Sequence, residues 1–133
     1  MEDELMYVAQ KAFIEKDGAI LIVDDPKEGL DFPGGKVQQG ESDLAESLRR
    51  EVREECGLEI EIGAPFITWI SILPPGHRNA GKKICIIGYK CRYVSGEVAL
   101  SEEHTGYRWV TRENYESADD GTHYFKFLEA YFT

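Results

Sequence analysis

The chain has 133 residues, of which 42% are hydrophobic and 30% charged. Domains most often contain about 100–150 residues, so we predict one globular domain over residues 1–133. Fifteen basic residues against 25 acidic ones give a formal charge of −10, which disfavours a polymeric nucleic acid as partner. Small phosphorylated ligands stay compatible with this charge, because a divalent cation held by carboxylates reverses the local field.

The cysteines and the apolar segments indicate the cellular compartment of the protein. Three cysteines without CxxC spacing fit neither a disulfide framework nor a zinc site, which favours reduced thiols. No apolar run approaches the roughly 18 residues needed to cross a bilayer, and the first residues are acidic where a signal peptide is basic. We therefore predict a cytoplasmic protein without a membrane segment.

The first third of the chain favours strands and tight turns. Residues 6–14 and 19–23 are β-prone and flank a turn-rich segment, 15–18, so they predict a hairpin. A polar loop is predicted over 24–29. Residues 31–36, Asp-Phe-Pro-Gly-Gly-Lys, then predict a tight backbone bend.

An amphipathic helix is predicted from about Asp43 to Cys56. Its apolar positions recur at i+4 steps: Leu44, Leu48, Val52 and Cys56. Ser42 or Asp43 can cap the start, and Gly57 can cap the end.

The remaining chain predicts more strands and a closing helix. Residues 59–73 and 83–94 are β-branched and aromatic, and the loop 74–81 separates them. A short strand is predicted at 107–110 and a helix from about 124 to 132.

The end of the first helix carries three glutamates, Glu51, Glu54 and Glu55. At about 100° per residue they lie on an arc that overlaps one border of the apolar stripe, while Arg49 and Arg53 point to the solvated side. Glu55 should therefore lie beside core residues. Three carboxylates at i, i+3 and i+4 repel one another unless a cation lies between them. Such an oxygen cluster suits Mg²⁺ or Mn²⁺; the alternative is a solvated face paired with nearby arginines.

These residues resemble the signature of the Nudix hydrolases. The matching positions are Gly35, Glu41, Arg50, Glu51, Val52, Glu54, Glu55, Gly57 and Leu58. One departure is that eight residues instead of seven separate Glu41 from Arg50, which leaves the role of Glu41 open. An extra residue inside the helix would rotate later side chains by about 100°, so we predict that it lies before the helix, within 42–44.

The resemblance implies an α+β fold, a Nudix-type α/β/α sandwich with a mixed β-sheet and a catalytic loop–helix–loop. It also implies an Mg²⁺- or Mn²⁺-dependent pyrophosphohydrolase that cleaves a nucleoside diphosphate linked to another moiety and releases a nucleoside monophosphate. Two substrates stay open: ADP-ribose or a nucleotide sugar, suggested by Pro74 sixteen residues after Leu58, and a nucleoside triphosphate as in MutT-like members. The alternative outside the enzymes is a non-catalytic protein of this fold that binds a nucleotide as a sensor.

The resemblance also implies roles for individual residues. Glu51, Glu54 and Glu55 would bind the metal together with the backbone at Gly35. Glu51 or Glu54 would help to activate the water. Glu102 and Glu103 are the other candidates for the general base that takes a proton from the water, and Glu103 is the favoured one of these two. The corresponding arginine, Arg50, would hold a glutamate of the signature in place.

Substrate contacts are predicted at two places. Gly34 and Gly35 let the backbone approach the metal or the substrate, although an ordinary turn needs glycine too. Arg78 and Lys83 belong to a local basic group that can reach diphosphate oxygens, and solvated loop charges are the alternative. ADP-ribose hydrolases of the family often act as dimers, so a homodimer stays open.

Overall fold

The computed structural model describes residues 1–133 and contains one mixed sheet with two helices. The strands are β1 (Tyr7–Lys16), β2 (Ala19–Asp25), β3 (Gly29–Asp31), β4 (Gly34–Lys36), β5 (Glu59–Ile72), β6 (Lys83–Ser95) and β7 (Gly106–Val110). The helices are α1 (Leu44–Cys56) and α2 (His123–Phe132), with a 3₁₀ turn at Tyr115–Ala118 that the sequence did not predict. The sheet order is β3-β2-β1-β6-β5, with β4 paired to β1 and β7 paired to β2. Only β1 and β6 are parallel.

The predicted hairpin is confirmed as β1 and β2. Asp17 and Gly18 both adopt left-handed conformations, with φ of 51° and 80°. Two successive positive φ values match the right-handed twist of the flanking strands, which is why such turns close short hairpins.

The polar loop predicted at 24–29 is wrong at both ends. Asp24 and Asp25 extend β2, and Gly29 begins β3, which pairs with β2. The turn between them is closed by the Asp25 carboxylate, which accepts the backbone N–H groups of Lys27 at 2.8 Å and Glu28 at 2.9 Å. Because the Asp25 carboxylate satisfies the N–H groups of the turn, the residues on either side of the turn can pair as strands β2 and β3.

The tight bend predicted within 31–36 lies at Pro33, and the glycines that follow it form strand β4, which the sequence did not predict. Val37 N donates to Val8 O at 2.8 Å, which continues the pairing of β4 with β1. Gly34 has a φ of 143°, and a Cβ there would lie 1.9 Å from the Gln10 carbonyl oxygen. Glycine is therefore required because two backbones touch.

Helix α1 begins and ends at the predicted residues. The Asp43 carboxylate accepts the N–H groups of Ala45 at 3.0 Å and Glu46 at 3.2 Å. Gly57 ends the helix in the left-handed conformation, with its N–H on the Arg53 carbonyl. The helix is uninterrupted from Leu44 to Cys56, so Arg50, Glu51, Glu54 and Glu55 keep the mutual geometry of a regular helix.

The two faces of the sheet carry separate hydrophobic clusters. One face packs against α1 and contains Ala12, Ile14, Leu21, Val23, Leu48, Val52 and Cys56. The opposite face packs against α2 and contains Ala9, Phe13, Ile22, Phe32, Phe127, Leu128 and Phe132. Alternate residues of β1 point to opposite helices, as the two-residue period of a strand requires. The predicted α/β/α sandwich is confirmed.

The cysteines carry free thiols, and Cys56 and Cys91 are buried. Burial raises the pKa of both thiols to about 12. No helix is both long and apolar enough to pass through a membrane.

Candidate active site

The glycine strand β4 lies directly against the last turns of α1. Gly34 N–H donates to Glu55 Oε2 at 2.7 Å. A Cβ on Gly35 would lie 2.8 Å from Glu51 Oε2, so the missing side chain leaves room for that carboxylate. The two glycines therefore contact two of the three predicted metal ligands.

Glu55 is the most enclosed of the helix glutamates. It is 5% exposed, which confirms that it lies beside the core. Burial raises the pKa of its carboxyl to about 8; the Gly34 N–H and the Lys11 ammonium oppose this shift, while the adjacent Glu103 carboxyl adds to it. A carboxyl in this position favours either a proton or a cation.

A fourth carboxylate, Glu103, lies near the helix glutamates. Its loop is attached to α1 through Ser101 N–H, which donates to the Glu55 carbonyl oxygen at 3.0 Å. The pKa of Glu51 is raised, mainly by burial and in part by the charges of Glu54 and Glu103, against the opposing effect of Arg50. The structure thus brings Glu103 together with the signature glutamates, across about fifty residues of sequence.

Arg50 holds three carboxylates at once. Its guanidinium donates to both oxygens of Glu41, to Glu51 Oε1 and to Glu54 Oε2, each at 3.0 Å. This side chain has little donor capacity left for a substrate. Its geometry fits the positioning role that the resemblance implies.

Glu41 joins the glycine segment to α1. In addition to its contacts with Arg50, its Oε1 accepts the Gln38 N–H at 2.7 Å and the Ser47 hydroxyl at 3.0 Å. The hydrogen bonds from Arg50, followed by that from Gln38, lower the pKa of Glu41 to about 2. Glu41 is therefore in contact with Arg50 although eight residues, one more than in the signature, separate them.

A buried charge group lies behind Glu55, and the sequence analysis missed it. Lys11 Nζ lies 3.0 Å from Asp31 Oδ1, and His104 Nε2 lies 3.8 Å from Asp31 Oδ2. Burial lowers the pKa of Lys11, but the charge and hydrogen bond of Asp31, together with the charges of Tyr124 and Glu55, raise it overall. The available signal was a lysine within the apolar run of β1. Ligand atoms of Asp25, Asp31 and His104 lie within 4.8 Å of one another, although Lys11 already neutralises Asp31.

The two predicted basic contacts lie in different surroundings. Arg78 lines a pocket together with Lys36, the last residue of β4. Lys83 lines another pocket, and its Nζ lies 2.6 Å from Glu4 Oε1. The structure brings Arg78 beside the glycine strand, and it pairs Lys83 with the N-terminal segment.

Four carboxylates and a closely approaching glycine backbone form an oxygen-rich site on an α/β/α sandwich. Such a donor set is typical of enzymes that cleave phosphate anhydrides with the help of hard divalent cations. The class of protein that the fold and the site define is therefore a phosphoanhydride hydrolase.

Comparison with known proteins identifies the family. The model described as "NUDIX domain" matches residues 8–131. The "Nucleoside triphosphatase NudI" of Klebsiella pneumoniae is 32% identical over 117 residues, which cover 80% of this chain and 82% of that protein. The "CTP pyrophosphohydrolase" of Escherichia coli K12 is 46% identical over 57 residues, 39% of this chain and 42% of that one.

A solved structure shows the same fold. The MutT protein from Methanosarcina mazei Go1 has a TM-score of 0.77 and 29% identity, covering 99% of this chain and 96% of that chain. The chain belongs to the Nudix family and is a hydrolase that acts on phosphoric anhydride bonds.

Proposed function

We propose that the protein is an Mg²⁺-dependent pyrophosphohydrolase that converts a nucleoside triphosphate to a nucleoside monophosphate and pyrophosphate. The observation that carries the proposal is the convergence of Glu51, Glu55 and Glu103 at the glycine strand. Support for the triphosphate comes from the name of the Klebsiella pneumoniae relative, a nucleoside triphosphatase. ADP-ribose or a nucleotide sugar, favoured by the position of Pro74, is the second candidate.

The residues present fit a hard divalent cation, Mg²⁺ or Mn²⁺. The donors would be the carboxylates of Glu51, Glu54 and Glu55 with the Gly35 backbone carbonyl, and Glu103 adjoins them. Burial of two carboxyl groups within one acidic cluster disfavours their ionised forms, and a cation relieves that penalty. When bound, Mg²⁺ polarises phosphoryl oxygens and lowers the pKa of a coordinated water.

The chain's own groups would orient the water and accept its proton. The Glu54 side chain is 60% exposed, so its carboxylate is accessible to a water at the cluster. Arg50 holds Glu54 and Glu51 at 3.0 Å each and fixes their directions. In the proposed step the water oxygen attacks one phosphorus, the anhydride P–O bond breaks, and the proton passes to a carboxylate. We propose Glu54 for this role, with Glu51 and Glu103 as rivals.

The proposal also covers the type of substrate, the cellular compartment and the oligomeric state of the enzyme. The substrate is a free small-molecule nucleotide, and the net charge of −10 argues against a polymeric nucleic acid. We propose a single catalytic domain that acts in the cytoplasm, as a monomer or as a homodimer.

Product analysis with and without Mg²⁺ tests the proposal. The purified protein is incubated with each nucleoside triphosphate, ADP-ribose, nucleotide sugars and dinucleoside polyphosphates. Mg²⁺-dependent release of monophosphate and pyrophosphate from a triphosphate is the expected result. Release of AMP from ADP-ribose alone would move the assignment to the second candidate. Nucleotide binding without any turnover would refute hydrolysis and favour the sensor.

A further inference from the structure

The outer edge of β5 is unprotected over residues 67–72. Strand β5 ends the sheet order β3-β2-β1-β6-β5, so only one of its edges is paired, with β6. Its first half carries features that normally block further pairing at an edge: two glutamates, Pro65 and register shifts on both sides of that proline. Residues 67–72, Ile-Thr-Trp-Ile-Ser-Ile, pair with β6 without a shift and contain neither a charge nor a proline. Such a segment can accept a further strand.

This segment is also apolar and exposed. Trp69 is 39% exposed, Ile70 58% and Ile72 62%. No charged residue occurs between Glu61 and Arg78, although 30% of the chain is charged. At the other end of the sheet order, by contrast, β3 has only three residues, and a short edge strand gives a partner little to pair with. The second half of β5 therefore offers a long, uncharged edge.

The free backbone groups on this edge belong to alternate residues. Leu73 N donates to Lys82 O at 2.8 Å, so the backbone groups of Leu73 face the β6 side. Successive residues of a strand direct their backbone groups to opposite edges, so those of Thr68, Ile70 and Ile72 point away from β6. Three N–H and three C=O groups are thus presented to a partner strand.

We propose that residues 67–72 pair with the same residues of a second copy of the chain, antiparallel about a two-fold axis at Ile70. In this register the two Ile70 residues exchange backbone N–H···O bonds. Trp69 lies opposite Ser71 of the second copy, so a bulky side chain meets a small one. Thr68 lies opposite Ile72 of the second copy, so two β-branched side chains meet. The segment is therefore complementary to itself, as a two-fold interface requires.

Charge favours a second copy at this edge over any other part of the surface. Each copy carries a formal charge of −10, so two copies repel one another over most of their surfaces. Residues 67–72 add no local repulsion, and they bring exposed apolar side chains, Ile70 and Ile72, into contact. An extended segment of another protein would use the same backbone groups, and the mass of the purified protein distinguishes the two occupants.

Sedimentation equilibrium and light scattering test the dimer. At high concentration the wild type should have twice the 15.1 kDa mass of one chain. Ile70→Lys places two ammonium groups against each other at the axis and should weaken dimerisation about hundredfold or more. The control is Val94→Lys, the same charge change at a side chain that is 56% exposed. Val94 lies about 30 Å along β6 from Cys85, the residue opposite Ile70.

Amide hydrogen exchange tests the backbone pairing and its register. In the dimer the N–H groups of Thr68, Ile70 and Ile72 should exchange slowly, and dilution should make them exchange fast. The N–H groups of Trp69 and Ser71 are the internal controls, because β6 protects them in the monomer and in the dimer alike. Neither measurement involves hydrolysis, so the result does not depend on the proposed function.

A wild type that is monomeric at every concentration would overturn the proposal and leave an extended segment of another protein as the occupant of this edge. Ile70→Lys dimers as stable as those of the wild type would also overturn it. So would equal loss of the dimer in Val94→Lys and Ile70→Lys, with both variants folded by circular dichroism, because the effect would then follow charge instead of position. Exchange at Thr68, Ile70 and Ile72 that ignores dissociation of the dimer would contradict the register.

Discussion

Replacing Glu55 by glutamine should stabilise the metal-free protein near neutral pH. Glu55 is 5% exposed, and burial raises the pKa of its carboxyl from 4.5 to about 8. Glutamine keeps a side-chain oxygen that can accept the Gly34 N–H, which now donates to Glu55 Oε2 at 2.7 Å. The substitution therefore removes the charge and retains the hydrogen bond.

The sign and size of the effect follow from proton linkage. The folded protein holds the Glu55 proton more tightly than the unfolded chain, so the free energy of unfolding falls as pH rises from 4.5 to about 8. Below this range Glu55 is protonated in both states and contributes nothing. One pKa unit corresponds to about 1.4 kcal/mol, which gives a penalty on the order of 3 kcal/mol at about pH 7.

Urea unfolding in EDTA at about pH 5 and about pH 8 measures this difference in stability. Glu55→Gln should be close to the wild type at the lower pH and exceed it by about 3–4 kcal/mol at the higher pH. Saturating Mg²⁺ should then stabilise the wild type more than the variant, because a ligand that binds only the folded state raises its stability.

Glu54→Gln is the matched control for this experiment. Its side chain is 60% exposed, so its removal should change stability by no more than about 0.5 kcal/mol at either pH. A Glu55→Gln protein that is no more stable than the wild type at about pH 8 in EDTA would refute the reasoning.

Two further substitutions test neighbouring contacts. Gly35→Ala places a methyl group 2.8 Å from Glu51 Oε2, so turnover should fall about tenfold or more while circular dichroism is unchanged; an unaltered kcat would contradict this. Lys11→Met leaves Asp31 buried without its counterion and should cost about 3–5 kcal/mol in urea unfolding. The double variant Lys11→Met/Asp31→Asn should lose clearly less, and equal losses would exclude the ion pair as the cause.

Helix α1 could be predicted because its signals are local. The apolar i+4 stripe, the Asp43 cap and the Gly57 end all lie within fifteen residues of sequence. The same periodicity placed Glu55 beside the core, which the structure confirms. The mutual geometry of the glutamates follows from the helix alone.

Strand β4 could not be predicted, because its residues have no intrinsic preference for a strand. Gly34, Gly35 and Lys36 pair with β1 since their backbone fits closely against it, with Gly34 in contact with the Gln10 carbonyl oxygen. Tertiary pairing supplies what β propensity does not.

The charge contacts around the site are also non-local. Lys11 and Asp31 lie on different strands, β1 and β3, and meet only after the sheet forms. Sequence spacing could indicate that Arg50 reaches a glutamate, but the contact with Glu41 depends on how the glycine segment meets the helix. Glu103 was found through family resemblance, since no periodicity links it to α1.

The catalytic use of Glu54 is tested most directly by the turnover of Glu54→Gln on a nucleoside triphosphate with Mg²⁺. The matched variant is Glu46→Gln, an exposed glutamate of the same helix that pairs with Arg49. We predict that Glu54→Gln loses about 10²–10⁴-fold in kcat while Glu46→Gln keeps wild-type turnover, both with unchanged circular dichroism. Near wild-type turnover by a folded Glu54→Gln protein would contradict the assignment of Glu54.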